Sequence, residues 1–163
     1  MHNKVYISLG SNLGDKISNI KKAIELINNN SGNVISIAPL YSSEPWGFES
    51  TENFLNTAIE IETKLNPFEL IKTLQIIEKE LGRIKNDDLT YSNRTIDLDI
   101  VFFNSKIINN KILKIPHPHL YNRRFVLLPL SQIAHDFIDP LTNKSIHKLL
   151  NECSDTSELE VTN

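Results

Sequence analysis

The 163-residue sequence contains very little cysteine and no long apolar segment. Its one cysteine, Cys153, has no partner for a disulfide bond, and a single thiol excludes a cysteine-based metal site. No apolar run approaches the ~18 residues that a membrane-spanning helix needs. The N-terminal residues lead directly into a predicted strand and lack the apolar core of a signal peptide. We therefore expect a cytoplasmic protein that does not bind membranes.

An excess of charge of one sign is also absent. The chain has 17 basic and 20 acidic residues, a formal net charge of −3. A faintly acidic protein is a poor general binder of nucleic acid, although this says nothing about a local basic site. The length and the 40% hydrophobic content fit one folded domain. We expect a single monomeric domain over residues 1–163, ordered over about 3–151, with a flexible tail over 152–163.

The most informative segment is a predicted strand that carries two aspartates in apolar surroundings. Because side chains alternate along a strand, Asp97 and Asp99 share one face. The other face is predicted to consist of Ile96, Leu98, Ile100 and Phe102. Two such carboxylates repel each other unless a cation lies between them, and Mg²⁺ prefers oxygen ligands and substrate phosphates. The segment therefore indicates a magnesium site, and the alternative is a solvated face with two surface aspartates.

The predicted elements follow the order β-α-β-β-α-β, and then a hairpin and short helices. Strands are predicted at 4–9, 34–41, 54–62 and 96–103, and Asn66 and Pro67 begin the second helix as N-cap and first residue. Gln75 and Glu78 lie off the buried stripe of that helix and are predicted to be solvated. This is the ferredoxin-like α+β pattern, an antiparallel sheet with helices on one side. The face with Asp97 and Asp99 would then be free to form a site.

Basic residues from several segments flank the aspartate strand in sequence: Arg83, Lys85, Arg94 and Arg123. Together with the carboxylate pair they suggest a polyphosphate bound with Mg²⁺, because phosphoryl transfer needs little beyond positioning and charge neutralisation. His117 and His119 allow an alternative, a zinc or manganese hydrolase, although one histidine that hydrogen-bonds phosphate is favoured. The Gly10–Asp15 turn before the first helix could hold an anion, but it is not a P-loop, and a capped turn explains it.

Two further functions remain possible from the residues alone. A nucleotidyltransferase also combines Gly-Ser with Asp-x-Asp, although here Gly10-Ser11 lies far upstream of the aspartates. A ferredoxin-like RNA-binding module without chemistry would need exposed aromatics and a basic face. Two acids on a central strand argue against RNA, since they repel phosphate when no metal is present.

From Val5 to about Leu150 the chain resembles the 6-hydroxymethyl-7,8-dihydropterin pyrophosphokinase family of folate biosynthesis. The resemblance rests on several motifs in a fixed order: Tyr6–Gly14, Tyr41 with Phe54–Asn56, Glu78 with Leu81–Arg83, Arg94–Ile100, Ile115–His119, Arg123 with Phe125–Leu127, and Pro129-Leu130. Phe54 stands where the family often has Tyr, and Lys85 stands where Arg is usual.

The resemblance implies transfer of the β,γ-pyrophosphoryl group of ATP to the hydroxymethyl group of the dihydropterin, with release of AMP. It implies two Mg²⁺ ions on Asp97 and Asp99, with Arg83 and Arg94 also catalytic. The residues implied to bind ATP are Gln75, Lys85, Arg94, Ile100, His117 and Arg123. Those implied to bind the pterin are Ser43, Trp46, Phe54, Asn56, Asp97 and Phe125.

Overall fold

The computed structural model describes residues 2–43, 53–82 and 95–162. Its strands are β1 (Asn3–Ser11), β2 (Asn33–Ile37), β3 (Leu40–Ser43), β4 (Phe54–Thr63), β5 (Asp97–Phe103), β6 (Ile108–Asn109), β7 (Lys114–Ile115) and β8 (Glu160–Thr162). Its α-helices are α1 (Lys16–Asn30), α2 (Pro67–Glu80), α3 (Arg124–Ala134) and α4 (Ile146–Glu152). No helix in these ranges is both long and apolar enough to cross a membrane.

The main sheet is antiparallel, with the strand order β5-β1-β4-β3-β8 and with β2 also paired to β4. The strand predicted over 34–41 is two strands, β2 and β3, which lie along the same partner on either side of Pro39. Proline has no N–H for a ladder, so the pairing is interrupted there. The segment between β2 and β3 stays bonded to β4, because Ala38 N–H donates to Ala58 O at 2.9 Å.

Helices cover both faces of the sheet. On one face, α1 and α2 bury a cluster that includes Leu9, Ile20, Ile59 and Leu74, as the predicted βαββαβ order requires. On the other face, α3 and α4 bury a second cluster that includes Tyr6, Phe102, Leu127 and Ile146. The ferredoxin-like α+β fold is confirmed. The added short helices cover part of the second face.

The start of α2 shows why the local sequence folds as predicted. Asn66 Oδ1 accepts from Glu69 N at 2.9 Å, and Glu69 Oε1 accepts from Asn66 N at 3.1 Å. This reciprocal pair satisfies two backbone N–H groups at the helix start, and Pro67 brings no N–H that would need a partner. The helix start predicted at Asn66 and Pro67 is confirmed.

The prediction that Phe102 faces the same side as Leu98 and Ile100 is wrong. In the pairing with β1, Ile100 lies opposite Ile7, and Phe102 lies opposite the adjacent Tyr6, so β5 contains one extra residue. A bulge shifts the alternation of side chains by one position. Phe102 therefore packs in the second cluster, whereas Asp97 and Asp99, which precede the bulge, keep the predicted shared face.

The residues predicted to form a flexible tail, 152–163, contain secondary structure in their described part, 152–162. Helix α4 continues through Glu152, and β8 pairs with β3, with Tyr41 opposite Val161. An uncovered sheet edge presents unpaired N–H and C=O groups, and β8 satisfies those of β3. The sequence of β8 alone does not reveal this partner, which lies more than a hundred residues earlier in the chain.

Candidate active site

Asp97 and Asp99 lie where β5 runs beside the end of β1, opposite Gly10 and Ser8 respectively. Both side chains line one pocket on the accessible part of the sheet. The side chain of Asp99 is 36% exposed, so this carboxylate is only partly solvated. We call this site the aspartate pocket. Its lining residues are Ser8, Gly10, Ser43, Phe54, Asn56, Asp97, Asp99, Arg123, Phe125 and Val126.

Most of the residues predicted to bind the pterin meet in this pocket although they come from four separate elements. β3 supplies Ser43, β4 supplies Phe54 and Asn56, β5 supplies Asp97, and α3 supplies Phe125. Phe54 and Phe125 are both partly exposed, and both line the pocket. The pocket therefore combines two aromatic side chains, one carboxamide and two carboxylates.

The Asn56 side chain is held in one orientation. It is 3% exposed, and its Nδ2 donates to Ser43 Oγ at 2.6 Å. On the other side, a Cβ added to Gly10 would lie 3.1 Å from Asn56 Oδ1. Gly10 thus leaves the space that the amide oxygen needs. Sequence reasoning treated Gly10 as part of a turn and missed this contact, which depends on the register between β1 and β4.

Arg123 and Phe125 form the helical wall of the aspartate pocket. Arg123 is 3% exposed, and its guanidinium carbon lies 5.7 Å from the centroid of the Phe125 ring, within cation–π range. Burial lowers the pKa of Arg123 to about 10, so the side chain keeps its positive charge at neutral pH. The residues that line the pocket therefore include a buried cation as well as two carboxylates.

His117 lies beside the carboxylates, and His119 does not join it as a second ligand. His117 Nε2 is 3.9 Å from Asp99 Oδ1, and its Nδ1 accepts from His119 N at 3.2 Å. Burial lowers the pKa of His117 to about 4, with a further decrease from His119, so the ring is neutral at pH 7. Acceptance at Nδ1 leaves the proton on Nε2, directed towards Asp99. The His119 ring is exposed, with its centroid 5.8 Å from that of His117.

A second cavity adjoins the first at Asp99. Its wall is formed by β5, the segment that contains the β6–β7 hairpin, and α2, and we call it the hairpin cavity. Its lining residues are Ile71, Asp99, Ile100, Asn110, Lys111, Ile112, Leu113, Lys114, His117 and Pro118. Ile100 and His117, both predicted to bind ATP, lie here. Gln75, also predicted to bind ATP, is exposed on α2 and lines neither cavity.

The prediction that Glu78 is solvated is wrong. Glu78 is 5% exposed, and its Oε2 accepts from Leu98 N at 3.0 Å. Leu98 lies between the two aspartates, so α2 holds β5 at the point where the carboxylates project. The leucine stripe did not predict this contact because the donor, Leu98 N, lies on β5, far from α2 in the sequence.

Replacing Glu78 with alanine should lower the free energy of unfolding by about 1–3 kcal/mol, because the buried Leu98 N–H would lose its acceptor. Urea unfolding followed by circular dichroism measures the change. Glu78→Gln is the matched control, since its amide oxygen can still accept, and it should retain most of the stability. An equal loss in both variants would show that the carboxylate charge, rather than the hydrogen bond, holds this strand.

Four of the predicted site residues, Trp46, Arg83, Lys85 and Arg94, lie outside the described residues. Within the described ranges, no group of three or more His, Cys, Asp and Glu side chains could hold a metal ion. The histidine-ligated zinc or manganese site considered as an alternative therefore gains no support from the described part of the chain.

The chain is similar to known proteins over most of its length. A family model described as 7,8-dihydro-6-hydroxymethylpterin-pyrophosphokinase matches residues 6–135. The 2-amino-4-hydroxy-6-hydroxymethyldihydropteridine pyrophosphokinase of Bacillus subtilis is 43% identical over 135 residues, which cover 82% of this chain and 80% of the relative. The protein of the same name from Aquifex aeolicus is 40% identical over 142 residues, 87% of each chain.

Longer relatives contain a matching region as one part. The folic acid synthesis protein fol1 of Pneumocystis carinii is 47% identical over 142 residues, and the match spans only 19% of its length. A crystal structure of wild-type Plasmodium falciparum HPPK-DHPS superposes with a TM-score of 0.78 at 17% identity. That match covers 93% of this chain and 44% of the other, and it supports the fold alone.

Proposed function

The chain belongs to the 7,8-dihydro-6-hydroxymethylpterin-pyrophosphokinase family, the pyrophosphokinases of folate synthesis, and we propose that its two adjoining cavities hold the two substrates of that reaction. The pyrophosphoryl group of ATP passes to the hydroxymethyl group of 6-hydroxymethyl-7,8-dihydropterin, and AMP is released. One observation carries the assignment of the site: Asp99 lines both the aspartate pocket and the hairpin cavity. We therefore place the transferred group beside this carboxylate, where the two cavities meet.

The aspartate pocket suits the pterin. A flat bicycle stacks well between two aromatic side chains, and Phe54 and Phe125 both line the pocket. A pterin edge presents hydrogen-bond donors and acceptors side by side, which a carboxamide matches because it offers both. Asn56 can serve in this way because Ser43 and Gly10 fix its orientation.

The hairpin cavity suits the nucleotide. Ile100, Ile112 and Leu113 give it apolar surface for a base, while Lys111 and Lys114 bring positive charge. A triphosphate that leaves this cavity towards the pterin would pass neutral His117, whose Nε2–H can donate to a phosphate oxygen. On the far side it would meet Arg123, whose guanidinium is suited to phosphate.

The carboxylate pair fits Mg²⁺. Asp97 and Asp99 are hard oxygen donors on one face of one strand, and they line the same pocket. Because few protein ligands are present in the described part of the site, water and phosphate oxygens would complete the coordination, as Mg²⁺ prefers. When bound, the ion neutralises charge on the triphosphate and helps to align it with the attacking hydroxyl.

The protein's own residues then act by positioning and charge. Phe54, Phe125 and Asn56 fix the pterin so that its hydroxymethyl group points towards the aspartates. The hydroxyl oxygen forms a bond to the β-phosphorus and its proton passes to solvent water. The bond from that phosphorus to the α,β-bridging oxygen breaks, so AMP leaves with the electron pair. Buried Arg123 offers positive charge beside the transferred group without a need to reorganise.

Incubation with ATP, Mg²⁺ and the hydroxymethyl-dihydropterin tests the function. Chromatography should show AMP and a diphosphorylated pterin in equal amounts, and only when both substrates are present. Release of pyrophosphate would favour the nucleotidyltransferase alternative, which also uses a Gly-Ser and Asp-x-Asp pair. ADP as the only nucleotide product, or no turnover, would remove the assignment.

Phe125→Ala should weaken pterin binding by about tenfold or more, because one of the two stacking faces is lost. ATP-analogue binding should change much less, since Phe125 does not line the hairpin cavity. Isothermal titration calorimetry with each ligand measures both effects. An equal loss of affinity for the two ligands would contradict the stacking role, and Phe125→Leu separates loss of bulk from loss of the aromatic face.

A further inference from the structure

The N-terminus of α3 is capped by a residue from the C-terminal segment. α3 supplies no cap of its own, because its N-cap residue, Arg123, makes no side-chain capping hydrogen bond and the first turn contains no acidic residue. Instead, Asp155 Oδ2 accepts from Arg124 N at 3.1 Å. The other oxygen of Asp155 is held by Ser157, whose N and Oγ donate to Oδ1 at 2.9 and 2.5 Å.

The same segment is also attached to the opposite wall of the aspartate pocket. Beyond Ser157 the chain forms β8, which pairs with the outer edge of β3. β3 ends at Ser43, which holds the Asn56 amide. We call residues 153–162 the C-terminal strap. It begins at Cys153, which packs against the second core cluster, so it is anchored at the core and at both pocket walls.

We infer that Asp155 is a positioning residue for the pterin, an inference that rests on the proposed function. By capping α3, it keeps the first helical turn wound, and this turn carries Phe125, which follows directly after the capped Arg124 N–H. The match to the family model ends at residue 135, so the strap lies outside the part of the chain that the family model describes.

The physical reason is that an uncapped helix start frays. A carboxylate at this point satisfies a backbone N–H and also interacts favourably with the positive end of the helix dipole. If the first turn unwinds for part of the time, Phe125 leaves its stacking position for the same fraction of time. The apparent pterin affinity then falls in proportion to the population of the wound state.

Asp155→Ala should raise the Kd for the dihydropterin about fivefold, the size of effect expected for a lost N-cap. The Kd for a non-hydrolysable ATP analogue should rise much less, because the hairpin cavity contains no residue of α3 and only Arg123, the N-cap residue, is proposed to meet the triphosphate. Asp155→Asn keeps one oxygen that can accept from Arg124 N but replaces the oxygen that accepts from Ser157 N, so it should restore part of the pterin affinity. Glu158→Gln, which changes an exposed acid of the same strap, is the matched control and should bind both ligands like the wild type.

Calorimetric titration of the full-length variants decides the matter, and thermal unfolding shows that each is folded. Wild-type pterin affinity in Asp155→Ala, or an equal loss for both ligands, would overturn the inference. If Asp155→Ala does not fold, Ser157→Ala takes its place, and we expect a twofold or greater loss of affinity for the pterin alone. Unchanged pterin affinity in Ser157→Ala would then overturn the inference. Failure of the wild type itself to bind the pterin would instead overturn the proposed function.

Discussion

Asp97→Asn and Asp99→Asn should each lower the rate of AMP formation by about two to three orders of magnitude or more. Asparagine keeps the volume and one oxygen of each side chain, so packing on β5 is preserved. It removes one negative charge from the pair that we propose attracts Mg²⁺ to the place where both cavities meet. The loss should be mainly in kcat, because in the proposed function the carboxylate pair acts chiefly on the transferred group, although Asp97 is also predicted to contact the pterin.

Initial rates at saturating ATP and pterin measure this effect, and circular dichroism with urea unfolding shows that the fold is retained. Asp136→Asn is a suitable control, because Asp136 lies just beyond α3 and its side chain is 97% exposed. Its rate should equal that of the wild type. Near-normal turnover in either Asp97→Asn or Asp99→Asn would show that the carboxylates are not part of the catalytic machinery.

Asn56→Asp should reduce pterin affinity by about a hundredfold, the second large effect. The substitution keeps the size of the side chain but removes the Nδ2–H group that donates a hydrogen bond to Ser43 Oγ. It also adds a third negative charge to a pocket that already holds Asp97 and Asp99. A site built to hydrogen-bond one polar edge discriminates strongly when a buried partner is left unpaired.

Equilibrium binding of the pterin, with the ATP analogue as reference ligand, tests this prediction. Ser43→Ala should show a smaller, intermediate loss, because it removes only the group that orients the Asn56 amide. Equal affinity of Asn56→Asp and the wild type for the pterin would place the pterin elsewhere. A parallel loss of nucleotide affinity would show that the substitution perturbs the sheet rather than one ligand.

The sequence predicts those parts of the fold that local patterns determine. Alternation along β4 separates Leu55, Ile59 and Ile61, which lie in the first core cluster, from Asn56, which lines the pocket. The capping signals at Asn66 and Pro67 place the start of α2 correctly. The two aspartates stand out because carboxylates at alternate positions of an apolar strand are unfavourable without a partner, so the residue pattern by itself indicates a site.

The features that the sequence does not reveal depend on contacts between distant segments. The bulge that turns Phe102 into the second cluster exists only in the pairing of β5 with β1. Burial of Glu78 follows from the approach of α2 to Leu98, and the space at Gly10 follows from the register with Asn56. None of these has a local signal, because a bulge, a buried carboxylate and a close approach are each defined by the partner.

The fate of the individual phosphates tests the account most directly. The protein should be incubated with Mg²⁺, the dihydropterin and ATP labelled at the α, the β or the γ phosphorus in three parallel reactions. We expect the β and γ labels to appear together in the pterin product and the α label to remain in AMP. Transfer of the γ label alone, with the β label left in ADP, would contradict pyrophosphoryl transfer at the junction of the two cavities.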